Sequence, residues 1–121
     1  MPLTILAVDD SSTMRVMLQT ALSSAGFLVH LAEDGLDALE KLSGLAPDVI
    51  ITDINMPRMD GFGFIDAVRK GDDPRTTPIL VLTTESATEL KERARQAGAT
   101  GWIVKPFDRE KLIAAIQRVA N

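Results

Sequence analysis

Five short runs rich in β-branched residues alternate along this chain with stretches that repeat apolar residues at helical spacing. The runs, which we predict as strands, are Leu3–Val8, Phe27–Ala32, Asp48–Thr52, Ile79–Thr83 and Thr100–Val104. Four of them are nearly continuous in apolar residues, which is typical of parallel strands covered by helices on both faces. Consecutive parallel strands need a crossover between them, so the alternation predicts an α/β fold with an open, doubly wound parallel sheet.

Helical patterns fill the intervals between the predicted strands, and two of them begin with capping signals. The sequence of residues 86–89 (SATE) predicts a capping box that opens a helix ending near Gly98. Asp108 is predicted to be the N-cap of the last helix. The other helices are predicted from Met14 to Leu22 with Gly26 at the C-terminal cap, at Gly35–Ser43, and at Gly61–Lys70.

Length and composition fit one folded unit and exclude several kinds of site. The chain has 121 residues, 45% of them hydrophobic, so residues 1–121 are predicted as a single domain with Gly71–Pro78 as a surface loop. The absence of cysteine excludes disulfides, thiolate metal sites and a cysteine nucleophile. A net charge of −4 argues against non-specific binding to nucleic acid or to an anionic membrane.

The apolar runs also bear on where the chain works. The longest runs are about six residues, too short to cross a bilayer, and Met1–Asp10 lacks the basic start of a signal peptide. We therefore expect a soluble, cytoplasmic domain. We also expect the protein to be a monomer.

The residues that follow the predicted strands carry charged and hydroxyl groups. In open α/β sheets, ligands bind at the carboxyl ends of the strands. Asp9 and Asp10 follow the first strand, Asp53 follows the third, Thr83 ends the fourth, and Lys105 follows the fifth. The sequence therefore predicts three carboxylates, a hydroxyl and an ammonium group at one edge of the sheet.

Three carboxylates in one place are unfavourable without a counter-charge. Two unit charges about 4 Å apart repel by roughly 4 kcal/mol at an effective dielectric constant near 20. A divalent cation removes that cost, and an all-oxygen donor set suits Mg²⁺, which also leaves a place for a phosphate group. Because carboxylates attack phosphoryl groups to give an aspartyl phosphate, the pattern indicates phosphoryl chemistry, with Thr83 and Lys105 binding the other phosphoryl oxygens.

Four segments at four strand ends resemble a known family. VDDSSTMR, DINMPRMDG, LTTES and KPF are similar to the motifs of two-component response-regulator receiver domains, and the likeness covers essentially the whole chain. It is greatest to the stand-alone, CheY-like chemotaxis regulators. The resemblance implies a flavodoxin-like (βα)5 fold with strand order 2-1-3-4-5.

The resemblance implies a role for each residue of the acidic edge. Asp53 is the expected phosphoacceptor, and Lys105 is expected to pair with the phosphoryl group. Mg²⁺ is expected to bind Asp10 and Asp53 directly, with the backbone carbonyl of Asn55 as a third ligand. Asp9 would contribute through water or through a shared carboxylate. The Lys105–Pro106 peptide bond is expected to be cis.

The resemblance also implies residues that govern turnover and switching. The side chains of Asn55 and Glu85 are expected to flank the path of the attacking water and to tune hydrolysis of the phospho-aspartate. Thr83 is expected to turn its hydroxyl toward the phosphoryl group, coupled to an aromatic residue on the fifth strand. That residue is usually Tyr or Phe and is Trp102 here, whose indole N–H needs a partner when it is buried.

The function implied is that of a signalling switch, which catalyses only its own phosphorylation and dephosphorylation and is otherwise not an enzyme. The expected phosphodonor is a histidine kinase of the chemotaxis (CheA-like) type. Because no residues remain for an effector, we expect output through helix 4, strand 5 and helix 5 (about Ala87–Asn121) to the flagellar motor switch protein or another downstream protein. The alternatives are a phosphate sink or other stand-alone regulator, a small Mg²⁺-dependent phosphohydrolase, a flavodoxin-like FMN carrier, and a phosphorylation-independent adaptor.

Overall fold

Five strands and five helices alternate in the computed structural model, which describes residues 2–71 and 75–120. The strands are β1 Thr4–Val8, β2 Leu28–Ala32, β3 Val49–Thr52, β4 Ile79–Thr83 and β5 Gly101–Val104. The helices are α1 Ser12–Ser24, α2 Gly35–Leu42, α3 Gly61–Lys70, α4 Thr88–Ala97 and α5 Arg109–Val119. Within the described ranges, no helix has the length and apolar character needed to cross a membrane.

The five strands form one parallel sheet in the order β2-β1-β3-β4-β5. This arrangement confirms the predicted doubly wound α/β fold and the strand order implied by the resemblance. Every strand begins and ends within one residue of its predicted position. The agreement follows from composition, because buried parallel strands are continuous apolar runs whose ends are marked by the first polar residue.

The core lies in two layers, one on each face of the sheet, because successive side chains of a strand point to opposite faces. On one face, Leu6 and Val8 of β1 pack with buried residues of α2, α3 and α4. On the other face, Ile5 and Ala7 of the same strand pack with buried residues of α1 and α5. Both faces of β1 are therefore covered, and its carboxyl end is fixed between β2 and β3.

The helix ends agree with most of the predicted caps and correct one of them. Asp108 caps α5 as predicted, and Gly98 ends α4 in the left-handed conformation with φ 115°. The predicted capping box at 86–89 is wrong: α4 begins at Thr88, and its N-cap is Ala87, which makes no side-chain cap bond. The preceding loop is held instead at Glu85, whose carbonyl accepts a hydrogen bond from the indole of Trp102.

Two smaller predictions concern the end of α1 and the loop after α3. The C-cap of α1 is Ala25, and Gly26 follows it in the left-handed conformation with φ 94°, so Gly26 ends the helix as predicted. The predicted surface loop Gly71–Pro78 includes residues 72–74, which lie outside the described residues.

Gly61, the first residue of α3, packs directly on the backbone that follows β3. Its N–H donates to the carbonyl of Ile54 at 2.8 Å. A Cβ atom at this position would meet the carbonyl oxygen of Asp53 and would lie 2.8 Å from the Cα atom of Ile54. The close approach of α3 to the end of β3 therefore requires glycine.

We expect Gly61→Ala to lower the free energy of unfolding by about 2 kcal/mol, because overpacking against backbone atoms cannot be relieved by a rotamer change. Urea unfolding followed by circular dichroism measures the effect. Gly44→Ala is the matched control, since a Cβ atom there meets nothing within 4 Å, and its effect should stay below about 0.5 kcal/mol. Equal losses in the two variants would contradict this account of Gly61.

Candidate functional site

The carboxyl ends of β1, β3 and β5 bring three of the predicted residues into direct contact. The Nζ atom of Lys105 donates to Oδ2 of Asp9 and to Oδ2 of Asp53, both at 2.7 Å. These side chains are largely removed from solvent, with exposed fractions of 10% for Lys105, 2% for Asp9 and 10% for Asp53. One buried ammonium group thus bridges two buried carboxylates that are distant in sequence.

Asp10 completes an acidic cluster beside this bridge. Asp9, Asp10 and Asp53 each offer a carboxylate oxygen, and these oxygens lie within 4.8 Å of one another. Two of the three residues are buried, whereas Asp10 is exposed. The cluster therefore opens to solvent on the side of Asp10, from which an ion or a phosphoryl group can enter.

Backbone hydrogen bonds fix the two buried carboxylates at the edge of the sheet. The N–H of Asp9 donates to the carbonyl of Ala32 at 3.0 Å, and the N–H of Asp53 donates to the carbonyl of Val8 at 3.0 Å. The second oxygen of Asp53, Oδ1, accepts from the N–H of Ile54 at 2.7 Å. Both oxygens of Asp53 are therefore oriented, which is what a reacting carboxylate requires.

The cluster is also anchored at its start. Oδ1 of Asp9 accepts from the N–H of Ser11 at 2.9 Å, and the guanidinium of Arg15 donates to the carbonyl of Asp9 at 2.7 Å. Ser11 in turn is the N-cap of α1. The turn that carries Asp9 and Asp10 is therefore held to the first helix at both of these points.

Burial and charge act on the ionisation of this site in opposite directions. Burial raises the pKa of Asp9, and the hydrogen bond from Lys105 opposes it in part. Burial alone would lower the pKa of Lys105, but the hydrogen bonds and charges of Asp53 and Asp9 outweigh burial and raise it. Lys105 therefore stays protonated at neutral pH, and one ammonium group faces three carboxyl groups.

The donor set fits a hard divalent cation. It consists of carboxylate oxygens within 4.8 Å of one another, with no cysteine in the chain. Mg²⁺ prefers oxygen ligands and keeps open positions for water or a phosphoryl oxygen. Asn55, the other predicted ligand residue, is exposed in the loop two residues after Asp53.

Thr83 and Trp102 lie on the neighbouring strands and meet at Glu85. Thr83 is fully buried at the end of β4, and its Oγ1 accepts from the N–H of Glu85 at 3.4 Å. The indole Nε1 of Trp102 donates to the carbonyl of Glu85 at 3.0 Å. This bond supplies the partner that the buried part of the indole needs, and it links β5 to the loop that follows Thr83.

Other features of the site were expected in part or missed. The Lys105–Pro106 bond is cis, as the resemblance implied. Sequence reasoning missed the ion pair between Arg58, in the loop after Asp53, and Asp34, which precedes α2. Asp34 stands before the helix-forming stretch that starts at Gly35, so its capping role was readable from the sequence. The pairing of Asp34 with Arg58 could not be predicted from the sequence, because the two residues are 24 positions apart.

Comparison with known proteins assigns the family. The model of the response regulator receiver domain matches residues 5–117. The chain belongs to the response regulator receiver family. It is 38% identical over 116 residues to a protein of Rhizobium etli named "Probable chemotaxis protein CheY", a match that covers 95% of this chain and 90% of the relative. The chain is also 39% identical over 118 residues to the mycobacterial response regulators MprA, a match that covers 97% of this chain. It spans about half (50%) of the length of these relatives.

Two solved structures extend the comparison. The chemotaxis protein CheY4 of Vibrio cholerae is 48% identical, with a TM-score of 0.92, and the match covers 98% of this chain and 99% of that one. The receiver domain of the sensor histidine kinase PA1611 from Pseudomonas aeruginosa is 29% identical, with a TM-score of 0.90 and coverage of 99% and 98%. Its structure holds a magnesium ion coordinated in the active-site cleft.

Membership in the family carries general properties. Receiver domains are signalling switches that take phosphate from histidine kinases and signal to downstream partners. They bind Mg²⁺ at an acidic pocket, and the acidic cluster of this chain fits that description. The chain is therefore a CheY-like receiver domain of a two-component response regulator.

We expect Lys105→Met to lower the free energy of unfolding by about 3 kcal/mol in metal-free buffer, because it leaves two buried carboxylates without their counter-charge. Added Mg²⁺ should restore part of the loss by supplying positive charge at the same carboxylates. Thermal and urea unfolding with and without MgCl₂ measure both effects. Lys111→Met, at an exposed position on α5, is the control; a loss as large in that variant would rule out the charge-balance explanation.

Proposed function

We propose that this receiver accepts a phosphoryl group from a histidine kinase onto Asp53, with Mg²⁺ bound, and thereby changes its binding to another protein. The observation that carries the proposal is the geometry of Asp53. Its carboxylate is oriented at both oxygens, contacts Lys105 at 2.7 Å, and lies within 4.8 Å of the other two acids. A carboxylate so held can act as a nucleophile toward phosphorus, while its neighbours provide charge for the oxygens of the incoming group.

The transfer needs positive charge where the phosphoryl oxygens gather. Asp10, Asp53 and the backbone carbonyl of Asn55 would hold Mg²⁺, with Asp9 contributing through water or a shared carboxylate. When bound, the ion neutralises charge that develops on the phosphoryl oxygens. Lys105 is already beside the nucleophile and would pair with the phosphoryl group once Asp53 is phosphorylated. The hydroxyl of Thr83 would donate to a further phosphoryl oxygen.

Asn55 and Glu85 are proposed to set the lifetime of the phosphorylated form. Asn55 is exposed in the loop after Asp53, and Glu85 is half-buried in the loop after Thr83. Side chains in these two loops border the approach of water to a phosphorylated Asp53. An amide and a carboxylate can orient an attacking water by hydrogen bonds.

The signal is proposed to leave through Thr83, Glu85 and Trp102. If Thr83 turns its hydroxyl toward the phosphoryl group, it gives up its contact with the N–H of Glu85. The carbonyl of Glu85 is bonded to Trp102, so a shift of that loop reaches β5. We propose that α4, β5 and α5, about Ala87–Asn121 (of which Asn121 lies outside the described residues), form the surface that binds the downstream partner.

The partners are proposed from the relatives. Likeness to chemotaxis proteins of Rhizobium etli and Vibrio cholerae supports a chemotaxis (CheA-like) kinase as donor and the flagellar motor switch as target. We further propose that residues 1–121 form one receiver unit that works as a monomer in the cytoplasm. A phosphate sink, or another regulator outside motor control, remains the alternative that partner-binding experiments distinguish.

We expect Asp53→Asn to abolish phosphate incorporation from acetyl phosphate in the presence of Mg²⁺, because an amide is not a nucleophile toward phosphorus. The wild type should incorporate one phosphoryl group, visible by mass spectrometry, and beryllofluoride should change the fluorescence of Trp102. Asp66→Asn, on the exposed side of α3, should behave as the wild type. Incorporation into Asp53→Asn would overturn the proposal, and steady hydrolysis of phosphomonoesters by the wild type would point to a phosphohydrolase.

The loop side chains give a separate prediction. We expect Asn55→Ala and Glu85→Ala to slow the loss of phosphate from phosphorylated protein by about tenfold. This is less than the roughly 10²–10⁴-fold of a full general acid or base, because each side chain would only orient the water. Decay of the phosphorylated species after removal of the donor measures this rate. Glu89→Ala, an exposed acid in the first turn of α4, is the control. Unchanged decay in both loop variants would show that these side chains do not contact the water.

A further inference from the structure

Arg58, in the loop between β3 and α3, has an unusual backbone conformation. Its φ angle is 63°, and among the described residues other than glycine it is the one with positive φ. Positive φ angles are unfavourable for an L-residue with a long side chain, so Arg58 keeps this conformation only because neighbouring contacts impose it.

The guanidinium of Arg58 forms a two-pronged ion pair with Asp34. Nε donates to Oδ2 at 2.7 Å, and the terminal nitrogen NH2 donates to Oδ1 at 2.9 Å. The carboxylate of Asp34 is 3% exposed, whereas the arginine side chain is 54% exposed. The same carboxylate caps α2 by accepting from the N–H of Asp37 at 2.9 Å. The planar fork therefore joins a surface loop to a fixed point at the start of α2.

A second contact joins the same two segments. The N–H of Gly35 donates to the carbonyl of Met59 at 3.2 Å. A Cβ atom at Gly35 would lie 2.7 Å from the Cγ atom of Met59, so the start of α2 and the loop are in close contact. The ion pair is therefore continuous with a packed interface, and it is not an isolated surface contact.

These contacts hold the segment that leads from Asp53 into α3. At its base the segment is closed by the hydrogen bond from Gly61 to the carbonyl of Ile54 at 2.8 Å. At its far end it is held by Arg58 and Met59. Asn55, whose carbonyl is proposed as a ligand of Mg²⁺, lies between the two attachments. If the carbonyl is already in place before Mg²⁺ arrives, no conformational entropy is lost in ordering it on binding. The affinity for Mg²⁺ is therefore higher.

We propose that Arg58 and Asp34 are positioning residues that preset the loop carrying the Asn55 carbonyl and so raise the affinity of the acidic site for Mg²⁺. Among the hydrogen bonds and ion pairs of the described residues, none joins Arg58 or Asp34 to the acidic cluster, so they act through the loop. The inference rests on the proposed function in one respect, the assignment of the Asn55 carbonyl as a ligand.

The test measures Mg²⁺ binding directly, by titrating the protein with MgCl₂ and following Trp102 fluorescence and, independently, the rise of the unfolding temperature with Mg²⁺. Arg58→Gly removes the fork and also relieves the positive φ, so its fold should be retained. Asp34→Asn removes the ion pair but keeps a good N-cap. We expect the dissociation constant for Mg²⁺ to rise about tenfold in each, as for other residues that orient metal ligands.

Two further variants separate positioning from simple stabilisation. Arg58→Lys keeps the positive charge but cannot form the two-pronged ion pair. We expect its affinity for Mg²⁺ to lie between that of Arg58→Gly and that of the wild type. In the double variant, Arg58→Gly with Asp34→Asn, the loss should be no greater than in either single variant, because both act through one contact. Lys70→Gln, which breaks the exposed ion pair with Asp66 on α3, should leave the dissociation constant unchanged.

The outcomes distinguish this inference from the proposed function. Equal Mg²⁺ affinity in the wild type, Arg58→Gly and Asp34→Asn would overturn the positioning role and leave the phosphorylation of Asp53 intact. Additive losses in the double variant would likewise overturn it, since they would mean that the two residues act separately. Failure of the wild type itself to bind Mg²⁺ would overturn the inference together with the metal-dependent part of the proposed function.

Discussion

The structure depends on one ammonium group placed between two buried carboxylates. Lys105 reaches Asp9 and Asp53 at 2.7 Å each, and all three side chains are at most 10% exposed. Without it, two like charges would face each other where water screens them poorly. Yet one ammonium group does not balance a cluster that also includes Asp10. The site therefore tolerates, and chemically favours, further positive charge, which is the condition that a Mg²⁺-dependent phosphoryl acceptor needs.

The sheet explains why this arrangement could be predicted from the sequence. Strands covered on both faces are nearly continuous apolar runs, so the first charged residue after each run is conspicuous and marks a strand end. Because all five strands are parallel, those residues must share one edge. Asp9, Asp53 and Lys105 were identified by this reasoning alone. Strand order, by contrast, came from resemblance, since apolar runs do not specify their neighbours.

What could not be predicted depends on contacts with backbone atoms and on unusual backbone conformations. The start of α4 was misplaced because local capping preferences favoured Ser86, while the loop is actually tethered through the Glu85 carbonyl to Trp102. Every residue has a backbone carbonyl, so the pattern of side chains cannot predict which carbonyl accepts a tertiary hydrogen bond. Arg58 was missed for a related reason: it bonds Asp34, 24 residues away in sequence, from a loop position with a positive φ angle. Neither the distant partner nor the backbone angle can be predicted from an arginine in a loop.

The two loops that border the acidic site are held in different ways, and this difference bears on how a signal would travel. The loop after Asp53 is fixed at its base by Gly61 and at its far end by the fork of Arg58. The loop after Thr83 depends on a long bond of 3.4 Å to Glu85 and on one indole hydrogen bond. If Asp53 is phosphorylated, the loop after Asp53 is therefore the more rigid of the two, and the loop after Thr83 is the easier one to displace. This difference supports the proposed route of the signal through the loop after Thr83 to β5, because fewer contacts must break on that side.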